Sequence, residues 1–215
     1  MLVVNRIRKT IKSKVILNDI SLTLNAGTIY GFVGRNGSGK TMLFRAISGL
    51  MKVDAGDISY QGKKLHQDFL VLPNLGITIE NAGLYPEFTG LKNLQLLAKL
   101  NRKIDTEQIK KSIKRVGLEP NDSRSFRKYS LGMKQRIAIA QAIMEQPDLI
   151  LLDEPTNSLD EEGVRLIRQV IREEKQRGAM ILLASHNKED IQLLADKVFY
   201  LDAGRLVDEV YPHAE

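Results

Sequence analysis

Residues 34 to 41, Gly34-Arg35-Asn36-Gly37-Ser38-Gly39-Lys40-Thr41, form the pattern G-x-x-x-x-G-K-T. Each part of that pattern has a task in holding a polyphosphate. The glycines let backbone N–H groups approach phosphate oxygens, and the start of a following helix adds a positive dipole. Lys40 then reaches the β and γ phosphates, and the Thr41 hydroxyl can ligate magnesium. The competing reading, a glycine-rich tight turn, does not need the lysine. A second segment, Leu149-Ile150-Leu151-Leu152-Asp153-Glu154, sets four large apolar residues before two carboxylates. It predicts a strand buried on both faces, with Asp153 at its end holding the magnesium side directly or through water. Glu154 would act on the attacking water as base or orienting acceptor.

Chemistry of this kind needs a rigid frame, and the chain offers one. Apolar alternation at Ile20, Leu22 and Leu24 leads through a turn at Asn25-Ala26-Gly27 into a buried strand over 29–33, directly before the glycine loop. The pattern predicts a helix over 42–50 and a short strand over 56–60. Residues 91–117 read as helical, with Leu91, Leu94, Leu97 and Leu100 on one core-packing face and Ile109, Ile113 and Val116 on another. A helix from Leu131 to about Glu145 should stop before Pro147, because the residue preceding a proline is pushed out of helical geometry. Beyond the 149–152 strand, helix 161–177, strand 179–184, helix 187–195 and strand 197–202 complete an alternating order. That order implies a mostly parallel sheet with helices on both faces, interrupted at about 85–140 by an all-helical insertion.

Composition narrows the field. The chain has 215 residues, 43% of them hydrophobic, 27% charged and 6% aromatic, which suits an ordinary globular core and argues against disorder. No run approaches the roughly 18 to 20 apolar residues that cross a bilayer. The first residues lack the pattern of a secretory signal. The absence of cysteine removes disulfides and thiolate metal sites and suits the cytoplasm. The net charge of +6 is regional: residues 90–136 carry thirteen Lys and Arg against four Asp and Glu. A solvated helical surface explains that excess, as does a face turned toward anionic lipid headgroups or an acidic partner loop. Phe126 and Tyr129 make no stacking platform for bases, so no nucleic acid is expected.

Taken with the glycine loop and the two carboxylates, three further segments resemble the nucleotide-binding subunit of ABC transporters, over about residues 3 to 210. Tyr129-Ser130-Leu131-Gly132-Met133 stands where that family has Leu-Ser-Gly-Gly-Gln, with Ser130 and Gly132 matching. Asn157-Ser158-Leu159-Asp160 is similar to the family's D-loop, and Ser185-His186 to its switch histidine. The resemblance implies a single ATP-binding domain over 1–215. Its fold would be α/β: a P-loop NTPase core with an antiparallel β subdomain and an inserted α-helical subdomain at about 85–140. It also implies ATP and Mg2+ as ligands, and a sandwich of two subunits in which Ser130 and Gly132 of one meet the γ-phosphate held by the other. Asp160 would lie at that dimer interface, and His186 would contact the γ-phosphate.

Two departures accompany the match. Glu80 occupies the position of the family's glutamine, which couples magnesium and the attacking water to the membrane partner. The run Gly83-Leu84-Tyr85-Pro86-Glu87-Phe88-Thr89 resembles the bacitracin and lantibiotic resistance exporters, which share that glutamate. In place of an upstream aromatic ring for adenine, Ile11 and Val15 offer aliphatic cover. The resemblance implies a separate transmembrane permease, received near Leu84 to Leu94, and a cytoplasmic place on the inner face of the membrane. Export is the expected task, with peptide antibiotics as the cargo. The alternative is a mechanical or regulatory ATPase without transport.

Overall fold

The structure, a computed structural model, describes residues 1–79 and 83–212. Three layers build it. The outer layer is an antiparallel sheet in the order β2-β1-β4-β5, from β1 (Leu2–Ile11), β2 (Lys14–Leu24), β4 (Ala55–Tyr60) and β5 (Lys63–Lys64). The middle layer is a six-stranded sheet in the order β10-β9-β3-β8-β7-β6. Its members are β3 (Ile29–Val33), β6 (Leu75–Thr78), β7 (Leu149–Asp153), β8 (Met180–Ala184), β9 (Lys197–Asp202) and β10 (Arg205–Val210). All neighbours in it pair in parallel except β10, which runs antiparallel to β9. The third layer is helical.

Period-two alternation decides which side chain enters which core. Leu149, Leu151, Met180, Leu182 and Phe32 face the antiparallel sheet and α1 (Lys40–Ser48). Ile150, Leu152, Ile181 and Leu183 face the other helices. Both faces of β7 are therefore buried, as its unbroken apolar run requires. The helices on that side are α2 (Gly90–Asn101), α3 (Thr106–Arg115), α4 (Leu131–Ile143), α5 (Glu161–Gln176) and α6 (Lys188–Leu194). Among the described residues, only helical elements lie between β6 and β7 in the chain.

The 91–117 helical reading divides in two. Arg102 takes a left-handed φ of 55° after α2, and Asp105 with Gln108 forms a reciprocal capping box that starts α3 afresh. Leu100, expected on the packing face, is 79% exposed. It sits in the last turn of α2, past the point where the helix still faces the core. Strands β1, β6 and β10 escaped the pattern reading. β1 buries Leu2, Val4 and Ile7, but Val3 is apolar too and a register shift between Val4 and Ile7 breaks the period of two, while β10 is a mostly exposed edge strand.

Candidate functional site

Five of the six α-helices begin with a side chain that accepts a hydrogen bond from their first turn. These caps are Thr89 in α2, Asp105 in α3, Ser130 in α4, Asp160 in α5 and Asn187 in α6. Among the described residues, only α1 lacks one. It starts at Gly39, with φ of 112°, no capping side chain and no acidic residue in its first turn. A helix start left uncapped presents N–H groups and the positive end of its dipole to an external anion. The loop before it is built close: a Cβ on Gly34 would meet the Leu201 carbonyl oxygen and Ser38 Oγ at 2.4 Å. Ser38 Oγ itself is buried with no hydrogen-bond partner. Lys40 donates through Nζ to the carbonyls of Gly34 at 2.7 Å and Arg35 at 3.4 Å, so the cation lies across the loop. These features fit a polyphosphate.

The magnesium side fits as well. Thr41 Oγ1 donates to Asp153 Oδ2 at 2.6 Å, bringing together two oxygen donors from α1 and the end of β7. A hydroxyl and a carboxylate suit a hard cation that keeps waters and phosphate oxygens as its other ligands. Among the described residues no group of three His, Asp or Glu side chains could hold a metal by itself. Glu80, expected beside this metal, lies outside the described residues.

Glu154 follows Asp153 in a left-handed conformation, φ 51°. Its N–H donates to the Ala184 carbonyl at 2.8 Å, which fixes the turn against the end of β8. The carboxylate is gripped by the next segment: the His186 N–H donates to Oε1 and Oε2 at 3.1 and 3.2 Å, and His186 Nδ1 is 2.7 Å from Oε2. A base with an orienting partner results, on the rim where α/β sheets take ligands.

A cleft of about 960 Å3 connects these parts, lined by Asn36 to Met42, Asp153, Glu154, Asn157 and Ser158. Its apolar wall contains Ile11 and Ile16. Val15, expected to share that wall, is exposed and lies outside the cleft lining, at the register shift where Lys9 pairs with Leu17 and Thr10 with Val15. Its place is taken by Ile16. Two cations the sequence reading missed, Lys12 and Lys14, also line the cleft. Their signal was present in the short basic turn between two strands.

Ser130, Gly132 and Asp160 do not join the cleft. They surround a second hollow with Gly117 and Arg136. Ser130 Oγ accepts from the Met133 N–H at 3.2 Å, and Asp160 Oδ1 accepts from Gly163 N–H and Arg136, both at 3.0 Å. Leu131 is exposed and lines both hollows. Gln135, which no sequence motif singled out, donates to the carbonyls of Glu154 and Pro155 at 3.2 and 3.3 Å and ties α4 to the catalytic turn.

This division of labour, with an uncapped helix start for phosphate and two carboxylates at the end of β7, defines a P-loop nucleoside triphosphatase. The chain belongs to the ABC transporter family, whose model matches residues 17–157. It is 47% identical to the uncharacterized ABC transporter ATP-binding protein YybJ of Bacillus subtilis, across 96% of this chain and 94% of that one. The bacitracin transport ATP-binding protein BcrA of Enterococcus faecalis is 38% identical, over 91% of this chain and 64% of its own length. The lantibiotic transport ATP-binding protein SrtF of Streptococcus pyogenes is 30% identical over 97% and 90%. Among solved structures, the ATP-binding subunit of an ABC transporter superposes with a TM-score of 0.88 at 26% identity, over 98% of this chain and 90% of that chain. A bacterial ABC transporter cassette solved as a dimer gives 0.92 at 23% identity across the full length of both, a likeness of fold. The chain is thus the ATP-binding subunit of an ABC transporter, and it hydrolyses ATP with Mg2+.

Proposed function

We propose that two copies of this chain, or one copy and a similar ATPase, close on ATP and drive a separate membrane permease that exports peptide antibiotics. The observation that carries the reading is the uncapped start of α1 beside the Thr41–Asp153 pair, with Glu154 lining the same cleft and His186 holding its carboxylate. In it, Gly34, Arg35, Asn36, Gly37, Ser38, Gly39 and Lys40 cradle the phosphates. Thr41 and Asp153 hold magnesium, which would offset charge on the β and γ phosphates. Glu154 orients the attacking water and takes its proton. Ile11 and Ile16 cover the base. Ser130 and Gly132, at the start of α4, serve the nucleotide held by the other subunit, which explains why they lie outside this chain's own cleft. His186 and Asp160 complete the shared interface, and Glu80 serves the magnesium side.

A separate permease carries the transport pathway in this reading; among the described residues, no helix is long and apolar enough to cross a membrane. Its docking site is the face around Leu84, Tyr85 and α2, where Tyr85 and Phe88 are exposed, their tilted rings 5.5 Å apart between centroids. Asn93, buried in α2, holds this loop by bonds to the backbone of Tyr85 and Thr89. The basic residues of 90–136 then face the inner leaflet. The peptide-antibiotic cargo rests on the likeness to the bacitracin and lantibiotic transport proteins. Copurification with a polytopic membrane protein, followed by ATPase assays with bacitracin and a lantibiotic, tests it. Stimulation by either peptide supports the reading, and none by either refutes the cargo.

A further inference from the structure

Beneath the Glu154–His186 pair lies a carboxylate that no motif identifies. Asp190, in the first turn of α6, is 0% exposed. Its Oδ2 accepts from the Thr156 hydroxyl and, at 3.4 Å, from Ser185 Oγ. Its Oδ1 accepts from Arg168 Nε at 2.7 Å, and Arg168, itself 6% exposed, also reaches Glu189 at 3.0 Å. Ser185 Oγ in turn accepts from the Asn187 N–H at 3.1 Å.

The sequence positions give this cluster its meaning. Thr156 is two residues after Glu154, and Ser185 is one before His186. These are the two segments that must be held together for His186 to grip the Glu154 carboxylate. Glu154 also sits in a left-handed conformation that a non-glycine residue adopts only when its surroundings impose it. A buried charge is retained only where it is paired and fully bonded, and Asp190 meets that demand by gathering donors from three elements. We propose that Asp190 is a positioning residue: with Arg168 as its counter-charge, it clamps the Glu154 turn to the His186 turn and so sets the direction of the catalytic carboxylate. The inference rests on reading Glu154 as the residue that activates water.

Asp190→Asn strips the counter-charge from buried Arg168 and endangers folding, so the test falls on Thr156. Thr156→Val keeps the shape and the Asp190–Arg168 pair while removing one strap, and Thr156→Ser restores the hydroxyl. Steady-state ATPase activity and thermal melting of both are compared with wild type and Glu154→Gln. Expected for Thr156→Val is a kcat lower by about 10- to 100-fold, the loss typical of a catalytic group displaced by an ångström or less, with KM for ATP and melting temperature nearly unchanged. Thr156→Ser should recover most of the rate. Wild-type kcat in Thr156→Val, or Thr156→Ser as slow as Thr156→Val, overturns the clamp, provided Glu154→Gln is inactive. Melting and KM moving in step with kcat would assign Thr156 a merely structural role and also overturn it. Unimpaired hydrolysis by Glu154→Gln would instead remove the premise.

Discussion

Thr41 Oγ1 and Asp153 Oδ2 stand 2.6 Å apart, although 112 residues separate them in the chain. One comes from the first turn of α1 and the other from the last residue of β7, so the sheet order that places β3 two strands from β7 also assembles the magnesium side. Thr41→Val keeps the packing and removes one of the two oxygens. The apparent affinity for magnesium, read from the metal dependence of hydrolysis, should fall by about 10- to 100-fold. An unchanged magnesium curve would show that Thr41 only braces Asp153.

Glu154→Gln keeps the side chain's size but cannot take a proton. Hydrolysis should drop by about 10²- to 10⁴-fold, the usual contribution of a positioned base, while ATP binding persists. Because the bound nucleotide is then not consumed, size-exclusion light scattering with ATP and magnesium should find a dimer. A monomer that binds ATP tightly would argue against the two-subunit sandwich.

Gly34→Ala tests how tightly the phosphate loop is packed. The added methyl would meet backbone and Ser38 at 2.4 Å, so something must move. Overpacking of this kind costs about 1–3 kcal/mol, measurable by denaturant titration, and nucleotide affinity should fall with it. A variant of wild-type stability would mean that both Ser38 and the Leu201 backbone give way at little cost.

The adenine wall discriminates between adjacent residues. Ile16 lines the cleft and Val15 does not, so Ile16→Ala should weaken ATP binding several-fold, and Val15→Ala should leave the dissociation constant as it was. Isothermal titration on both variants checks the assignment. The reverse result would place the base on the other face of β2.

Acid sensitivity has a definite sign. Hydrogen bonds from Lys9 to Asp54, from Arg124 to Asp122 and from Arg168 to Glu189 each hold a carboxyl below its ordinary value of 3.8, 3.8 or 4.5. A depressed folded-state value gives stability that is present above the unfolded value and lost as pH falls through the folded one. Melting temperature should therefore be insensitive to these groups above about pH 5 and decline below it. Replacing the three by Asn, Asn and Gln should make that decline shallower. An equally steep limb would assign acid unfolding to other carboxylates.

Short-range chemistry explains what was legible in the residues alone. The glycine loop, the run from Leu149 to Glu154 and the strands β3, β7, β8 and β9 announce themselves because each depends on neighbours in sequence: backbone freedom, a helix start, four apolar residues with two buried faces. The stop before Pro147 is local as well, whereas the helix start at Asp105 lay unread inside the 91–117 stretch. The remainder depended on elements far apart in sequence. Val15 and Ile16 are alike in composition, and only the pairing of β2 with β1 decides which of them faces the nucleotide. Leu100 obeys the helical period yet stays in solvent because α2 runs past the core. Asp190 looks like an ordinary acidic residue in a short helix, and it becomes a buried clamp only where α5, α6 and the ends of β7 and β8 converge. Local sequence could specify the groups that do the chemistry, but their mutual direction is a property of packing, where burial turns a single carboxylate into a fixed point.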